Sequence, residues 1–282
     1  MRTVAPDQAS GYRAAMPRLV RRIMTATALV LQLALPGCAG SPPTDPPASA
    51  AATMGFASGL QVRPASAPSG RWAILLPGAS GLDIFGDARH YERAADALNA
   101  RGIDAIIVDY KRAYRASENP PPGETGEKIA WVVGETVAWA RERGVIRGSS
   151  HGALIAWSLG AEGLWPLLGD AARLERLGVD RAVAYYPSNE GSVPVRSAVP
   201  LLLLAGEKDD VTPLADLRPT IAAGSGPVEL VAFPDAHHGF DIASLRTPRR
   251  VSLIPIIGPT GTFGYDEAAA TAAAAKLDAF LR

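Results

Sequence analysis

The stretch that decides the fold is Ala153-Leu-Ile-Ala-Trp-Ser-Leu-Gly-Ala161, an apolar run that ends at a serine flanked by small residues. Such a run predicts a buried strand. A strand that turns sharply into a helix tolerates only small side chains two positions before and after the turning residue, here Ala156 and Gly160. The stretch therefore predicts a strand, a tight turn at Ser158 and a helix that begins near Leu159.

Further strand-like runs occur on both sides of this turn, and helical patterns separate most of them. The predicted strands lie at 72–77, 104–109, 153–157, 181–186, 200–205 and 228–233, and the main helical patterns at 127–143 and 266–281. Alternation of this kind predicts an α/β fold, with a mostly parallel sheet covered by helices on both faces.

Two other polar residues, Asp209 and His238, follow apolar runs as Ser158 does. Because ligands bind outside the carboxyl ends of parallel strands, the three side chains are expected to meet in one crevice. There the serine would be the nucleophile and the histidine its general base, while the aspartate would hold the imidazole in the reactive tautomer. Each partner has an alternative next to it, Asp210 for the acid and His237 for the base.

The two remaining histidines are interpreted as residues outside this site. His90 lies in a charged helical segment and is expected on its solvated face, and His151 is expected in a loop before the serine strand. No His, Cys, Asp and Glu residues have the spacing of metal ligands. We therefore expect neither a metal nor a cofactor.

These segments resemble the dienelactone hydrolase family of the α/β-hydrolases over roughly 71–282. The order Ser, Asp, His along the chain is that of the α/β-hydrolases. Beyond the serine turn, the resemblance rests on Ala-Ile-Leu-Leu-Pro-Gly-Ala-Ser-Gly-Leu (73–82), Ala-Tyr-Tyr-Pro (184–187), Gly-x-x-Asp-x-x-x-Pro (206–213), His-His-Gly-Phe-Asp (237–241) and Gly-Tyr-Asp-Glu-Ala-Ala-Ala (264–270).

The resemblance implies an α/β-hydrolase fold and the cleavage of a carboxylic ester or lactone. It selects Asp209 as the acid and His238 as the base, because these residues fill the family's motif positions. Backbone N–H groups of Leu159 and Ala79 would form the oxyanion hole, with Gly78 the next candidate. The family's namesake enzymes have a cysteine nucleophile and a carboxylate where this chain has a serine and Gly78. These departures point away from dienelactone itself as the substrate and leave ester hydrolysis as the implied activity.

The segment between Tyr186 and Pro200, where many α/β-hydrolases insert a lid, has only thirteen residues, so no large lid domain is expected. Two irregular stretches, 111–126 and 241–263, are expected to line an open pocket. Arg112 and Arg115 in the first are candidates for binding a substrate carboxylate, with an ordinary solvated loop as the alternative.

The amino-terminal region predicts export. Three arginines precede the apolar run 23–35, which is typical of a signal peptide over 1–37 and too short to span a bilayer; Met16 is a possible true start. The run ends at Leu-Pro-Gly-Cys (35–38), which resembles a bacterial lipobox. Cys38, the chain's only cysteine, would then be lipidated.

After this cysteine, a Pro/Ala/Ser-rich tether is expected up to residue 65, so that the lipidated Cys and tether occupy 38–65 and the catalytic domain 66–282. The predicted location is the bacterial cell envelope, through the lipid anchor alone, with a periplasmic or secreted soluble protein as the alternative. Without residues 1–37 the chain has 23 basic and 27 acidic residues. It shows no basic face for binding nucleic acid. The sequence does not determine the oligomeric state.

The leading prediction is a serine hydrolase acting on a small-molecule ester or lactone. A peptidase or acyl-peptide hydrolase shares the fold and the three residues, although the 65 residues before the domain cannot build a propeller. The remaining hypothesis is a catalytically idle envelope lipoprotein, in which the three side chains would not form a hydrogen-bonded chain.

Overall fold

The computed structural model of the chain describes residues 55–147, 150–252 and 260–282. Its centre is a seven-stranded sheet with the strand order β1-β3-β2-β4-β5-β6-β7. The first strand runs antiparallel to β3, and the other neighbouring pairs are parallel, which confirms the predicted mostly parallel sheet. The strands are β1 (Leu60–Arg63), β2 (Arg71–Leu76), β3 (Ile103–Val108), β4 (Gly152–Trp157), β5 (Val179–Tyr185), β6 (Leu201–Gly206) and β7 (Val228–Phe233).

Helices lie in most connections between the parallel strands, and a separate two-stranded hairpin follows β7. The α-helices are α1 (His90–Asn99), α2 (Tyr110–Arg115), α3 (Thr125–Glu142), α4 (Trp165–Leu168), α5 (Ala171–Leu177), α6 (Leu214–Ala222) and α7 (Glu267–Leu281). Two 3₁₀-helices span Ser158–Gly163 and Ala243–Leu245, and the hairpin consists of β8 (Arg249–Ser252) and β9 (Thr260–Phe263).

The sheet is apolar on both faces, as a parallel sheet covered by helices requires. Along β6, four consecutive leucines at 201–204 are fully buried and alternate between two apolar clusters. One cluster includes side chains of α3 and α6, and the other includes side chains of α1 and α7. Burying each leucine contributes roughly 1.5–3 kcal/mol, so this strand helps to hold both helical layers on the sheet.

The sheet begins earlier in the chain than predicted. β1 (Leu60–Arg63) lies inside the segment expected to be tether, and it pairs with β3 along its whole length. This four-residue edge strand is only partly buried, and its two apolar residues, Leu60 and Val62, alternate with polar ones instead of forming an apolar run. The predicted end of the tether at residue 65 is therefore wrong. The predicted signal peptide, Met16 and Cys38 lie outside the described residues.

The two stretches predicted to be irregular are partly regular. The stretch 111–126 contains most of α2 and the start of α3, and the stretch 241–263 contains a 3₁₀-helix and both strands of the hairpin. By contrast, residues 186–200 between β5 and β6 contain no helix. The absence of a large lid at this point follows the prediction.

Candidate active site

Ser158 stands at the end of β4 with a φ of +48°, an angle that side-chain-bearing residues rarely adopt. It opens the 3₁₀-helix Ser158–Gly163, whereas the sequence predicted an ordinary helix from Leu159. Gly160 must be a glycine, because a Cβ atom there would lie 2.3 Å from the carbonyl oxygen of Leu76. This tight crossing of backbones turns the partly exposed Ser158 side chain out of the sheet.

The structure brings the three predicted side chains into one hydrogen-bonded chain. Nε2 of His238 lies 2.9 Å from Oγ of Ser158, and Nδ1 of His238 lies 2.8 Å from Oδ2 of Asp209. His238 is 2% exposed and Asp209 is 5% exposed. A carboxylate can only accept a hydrogen bond, so Nδ1 of His238 carries the proton that it donates to Asp209. The other ring nitrogen, Nε2, is then free to accept the proton of the serine hydroxyl.

The Asp209 carboxylate is held by the loop that follows β6. Its Oδ1 accepts hydrogen bonds from the backbone N–H groups of Val211 (2.9 Å) and Thr212 (2.8 Å). Its Oδ2 accepts from the Thr212 hydroxyl (3.0 Å) in addition to His238. These donors fix the orientation of the carboxylate before any substrate binds.

The alternatives next to the acid and the base have other partners. The Asp210 carboxylate accepts hydrogen bonds from the backbone N–H (2.6 Å) and hydroxyl (3.1 Å) of Thr262 in β9. Nδ1 of His237 lies 3.0 Å from the carbonyl oxygen of Lys208. The geometry therefore places Asp209 and His238, and neither neighbour, in the hydrogen-bonded chain.

The loop after β2 orients one of the two predicted oxyanion donors. The N–H of Gly78 donates to the Tyr91 hydroxyl (2.9 Å), which removes Gly78 as an alternative donor. The Gly78 carbonyl oxygen accepts a hydrogen bond from the N–H of Gly81 (3.1 Å). Because the peptide bond between Gly78 and Ala79 is trans, the N–H of Ala79 points in the direction opposite to this carbonyl, away from Gly81. Lys111 then holds the Ala79 carbonyl with a 2.6 Å hydrogen bond.

This loop lies directly beside the serine. A Cβ atom built on Gly78 would lie 3.3 Å from Cβ and 3.9 Å from Oγ of Ser158. The other predicted donor, Leu159, belongs to the first turn of the 3₁₀-helix, where N–H groups lack partners within the helix. The residue before Ala79 and the donor Leu159 thus both lie next to the serine.

Lys111 was not singled out by the sequence, whereas two arginines near it were. The Arg112 guanidinium donates to the Ser58 hydroxyl (3.1 Å), and Arg115 is the last residue of α2. The role of these arginines in binding a carboxylate stays a prediction. Burial lowers the pKa of Lys111.

A partly buried carboxylate near the hydrogen-bonded chain was also missed. Asp241 accepts hydrogen bonds from the Tyr186 hydroxyl (2.7 Å) and from Nε1 of Trp157 (2.9 Å). The Tyr186 ring in turn packs against the His238 imidazole, with centroids 4.6 Å apart. Burial and the neighbouring Asp241 carboxylate raise the pKa of Tyr186. Tyr186 and Asp241 lie in segments on which the family resemblance rests, but neither had been given a role.

The prediction for His90 was wrong. This side chain is buried, and its Nε2 lies 3.6 Å from Oδ2 of Asp241 without a hydrogen-bond partner in the described part of the chain. The buried face of α1 contains Tyr91, Ala95 and Leu98, and His90 lies at the edge of that face against Trp157. The charged residues around it concealed this edge position in the sequence.

Two further expectations concern groups outside the hydrogen-bonded chain. His151 is exposed in a loop before β4, as predicted. Within 55–147, 150–252 and 260–282, no group of three or more His, Cys, Asp or Glu side chains is placed to hold a metal ion.

Comparisons with known proteins agree with this architecture. The model of the dienelactone hydrolase family matches residues 169–282, which include Asp209 and His238 and begin after Ser158. No curated protein matches the chain.

Solved structures of an esterase from the planctomycete Thermogutta terrifontis share the fold. The butyrate-bound form aligns with a TM-score of 0.52 at 17% identity, over 79% of this chain and 87% of the esterase. The form phosphoramylated by tabun aligns with a TM-score of 0.52 at 16% identity, over 79% of this chain and 88% of the esterase. With the α/β sheet and the hydrogen-bonded Ser, His and Asp side chains in place, the family match over residues 169–282 makes this part of the chain similar to the dienelactone hydrolase family of the α/β-hydrolases.

Proposed function

We propose that this protein is a serine hydrolase that cleaves a carboxylic ester or lactone by acyl transfer. The observation that carries the proposal is the chain of hydrogen bonds from Ser158 through His238 to Asp209, at 2.9 and 2.8 Å. Nucleophile and base lie within hydrogen-bond reach, and a third group orients the base, which is the arrangement that an activated serine needs.

The first half of the reaction forms an acyl-enzyme. Oγ of Ser158 attacks the substrate carbonyl carbon while Nε2 of His238 takes the hydroxyl proton. The negative charge that develops on the carbonyl oxygen is bound by the N–H groups of Ala79 and Leu159. Asp209 stabilises the imidazolium, which then gives its proton to the leaving alcohol as the ester bond breaks.

The second half reverses these roles with water. His238 removes a proton from a water molecule, whose oxygen attacks the acyl carbon, and the collapsing intermediate returns the proton to Oγ of Ser158. The product is a carboxylic acid. Because the described chain between β5 and β6 forms no lid, the site suits modest, water-soluble esters.

The fold relatives suggest which substrates to test first. The Thermogutta esterase has been solved with butyrate bound and with propionate bound. Fold alone does not determine a substrate. Short-chain esters of these acids, a lactone and a peptide therefore form the first panel, which also tests the peptidase alternative.

The test of the proposal is labelling by a fluorophosphonate probe together with ester turnover. We expect the natural chain to be labelled and Ser158→Ala to lose both labelling and hydrolysis while it remains folded. Ser192→Ala is the matched control, because Ser192 also has a positive φ (+47°) and is exposed. Labelling of Ser158→Ala at the natural level would refute the assignment, and a folded natural chain that neither reacts nor hydrolyses any substrate would favour the idle lipoprotein.

For localisation we propose export to the bacterial cell envelope with Cys38 lipidated. Support comes from the sequence of residues 16–38 alone. In the described residues, no helix has both the length and the apolar character to cross a bilayer. With its own leader, the protein should stay with membranes through a salt wash, since two or more acyl chains anchor stably. A soluble product without lipid mass on its amino terminus would contradict the proposal, and Cys38→Ala should block acylation.

A further inference from the structure

A strained phenylalanine lies in the loop between β2 and α1. Phe85 has a φ of +53° and is followed by Gly86 at +84°. Ile84 and Asp87 on either side exchange backbone hydrogen bonds of 3.3 and 3.0 Å, so these four residues form a tight turn with positive φ at both central positions. Such turns favour Asn or Gly at the first central position, and a bulky residue there is an outlier.

The Phe85 ring contacts a second aromatic ring from another part of the chain. Its centroid lies 5.1 Å from that of Phe263, the last residue of β9, at an interplanar angle of 65°. Phe263 in turn packs edge-on against the His238 imidazole at 5.0 Å and 83°. Both phenylalanines are only partly buried. Two aromatic rings therefore extend in series from the imidazole towards the protein surface.

Main-chain contacts on both sides of Phe263 fix its position. The preceding residue, Thr262, donates its N–H and its hydroxyl to the Asp210 carboxylate. The following residue, Gly264, donates its N–H to the His238 carbonyl oxygen (3.1 Å). The same two loops that hold Asp209 and His238 thus hold the Phe263 ring. Its position relative to the imidazole is therefore fixed before a substrate binds.

The position of these rings relative to the reaction decides which part of a substrate they would meet. The imidazole delivers its proton to the leaving alcohol oxygen, so that groups beside the imidazole face the alcohol side of the ester. The predicted oxyanion donor Ala79 lies in the same β2–α1 loop as Phe85, where Lys111 holds its carbonyl, whereas Phe263, the ring that touches the imidazole, ends β9. Aromatic rings bind other aromatic rings favourably edge to face as well as by burial.

We propose that Phe85 and Phe263 form a subsite for an aryl or other flat apolar group on the alcohol portion of the ester. The subsite rests on the proposed function, because its orientation follows from the role of His238 as the acid that protonates the leaving alcohol. It makes aryl and arylalkyl esters the favoured substrate class, above esters of small alkyl alcohols.

Three esters test whether the rings bind the alcohol portion or the acyl portion of the substrate. Benzyl acetate carries a ring on the alcohol, ethyl phenylacetate carries it on the acyl group, and ethyl acetate has none. We expect Phe263→Ala to lower kcat/KM for benzyl acetate about tenfold, mainly through KM, and to change the value for the other two esters less than about twofold. Phe85→Ala should act in the same direction, and Phe263→Leu should restore part of the loss.

Phe280→Ala is the matched control, because Phe280 is also a partly buried phenylalanine but lies on α7, away from the hydrogen-bonded chain. An equal loss on all three esters in Phe263→Ala would overturn the proposal, since the ring would then only support His238. A loss confined to ethyl phenylacetate would also overturn it by assigning the rings to the acyl side.

A binding measurement separates failure of the subsite from failure of the proposed function. In Ser158→Ala protein, saturation-transfer NMR should detect benzyl alcohol in preference to ethanol, and Phe263→Ala added to that protein should weaken the benzyl alcohol signal. Benzyl alcohol binding that is absent, or that is insensitive to Phe263, would refute the subsite whether or not the natural chain hydrolyses esters.

Discussion

His238 and His90 are both buried histidines that face an aspartate near the carboxyl ends of the central strands, yet their surroundings differ. His238 has a partner on each ring nitrogen, 2.8 Å to Asp209 and 2.9 Å to Ser158. His90 lies 3.6 Å from Asp241, beyond hydrogen-bond distance, and its Nε2 has no such partner in the described residues.

The difference comes from the donors around each carboxylate. Asp209 is oriented by Thr212 and Val211 so that one oxygen faces the imidazole. Asp241 is oriented by Trp157 and Tyr186. Burial and a nearby carboxylate are therefore not sufficient for a working histidine. The carboxylate must be held by other groups in the direction of the ring.

The largest expected effect tests the His238 pair. Asp209→Asn should lower kcat for a short-chain ester by about 10⁴-fold, because the amide favours the wrong imidazole tautomer, as in other triads. Steady-state kinetics measures this. Asp210→Asn, which loosens only the contact with Thr262, should change kcat by less than about tenfold, and the reverse ranking would mean that the acid is Asp210.

The second effect concerns the stability that Asp241, the neighbour of His90, gives to the fold. Asp241→Asn leaves a donor of Trp157 or Tyr186 facing an NH₂ group, and the free energy of unfolding should fall by about 1–3 kcal/mol. Urea denaturation measures the change. Asp235→Asn is the control, since it removes an exposed ion pair with Lys208, and it should leave stability unchanged. A loss of kcat comparable to that of Asp209→Asn would erase the distinction between the two pairs.

The third effect is the alkaline pH dependence that the tyrosines around Asp241 create. Burial raises the pKa of Tyr186 and of Tyr91 above the usual value of 10.0. Above pH 10 the unfolded chain loses these protons while the folded chain keeps them, so the free energy of unfolding should fall by up to about 1.4 kcal/mol per pH unit for each tyrosine. Below pH 10 their contribution is fully present.

Urea unfolding between pH 9 and pH 11 measures this slope. Tyr186→Phe should make the slope shallower, because one buried phenol no longer titrates in the unfolded chain. An unchanged slope would show that the Tyr186 hydroxyl titrates alike in the folded and unfolded states.

The smallest effect tests the incomplete pair itself. His90→Phe replaces an unpartnered ring nitrogen with carbon, and the free energy of unfolding should change by less than about 1 kcal/mol. Hydrolysis should stay within about twofold of the natural chain, whereas the matched change His238→Phe should abolish it. A stability loss of several kcal/mol in His90→Phe would indicate a charged ion pair with Asp241.

Much of the fold could be read from local patterns. The predicted strands at 72–77, 104–109, 153–157, 181–186, 200–205 and 228–233 agree with β2 to β7 to within two residues at each end. The strands β2 to β6 are largely buried on both faces, so that most of their residues form apolar runs, and the partly buried edge strand β7 is also mostly apolar. β1 was missed because an edge strand with polar alternate residues is identified only by its partner β3.

The candidate site likewise contains some residues that the sequence predicts and others that it does not. Ser158, Asp209 and His238 each follow an apolar strand, so their meeting at one end of a parallel sheet could be predicted. The neighbours that complete the site could not. Phe263 ends a four-residue strand, and Phe85 occupies a turn position that normally selects Asn or Gly.

By itself, the sequence determined the class of fold and the places after the strands where a serine, an acid and a histidine would meet, because strand burial and chain order are local properties. The family resemblance then selected Asp209 and His238 over their neighbours. Only the tertiary structure decided that Asp241 turns towards Tyr186 and Trp157, that His90 is buried without a hydrogen bond, and that two phenylalanines meet beside His238. Each of these depends on the direction of side chains from segments far apart in the chain. Hydrogen bonds and ring contacts are sensitive to such directions at the scale of an ångström.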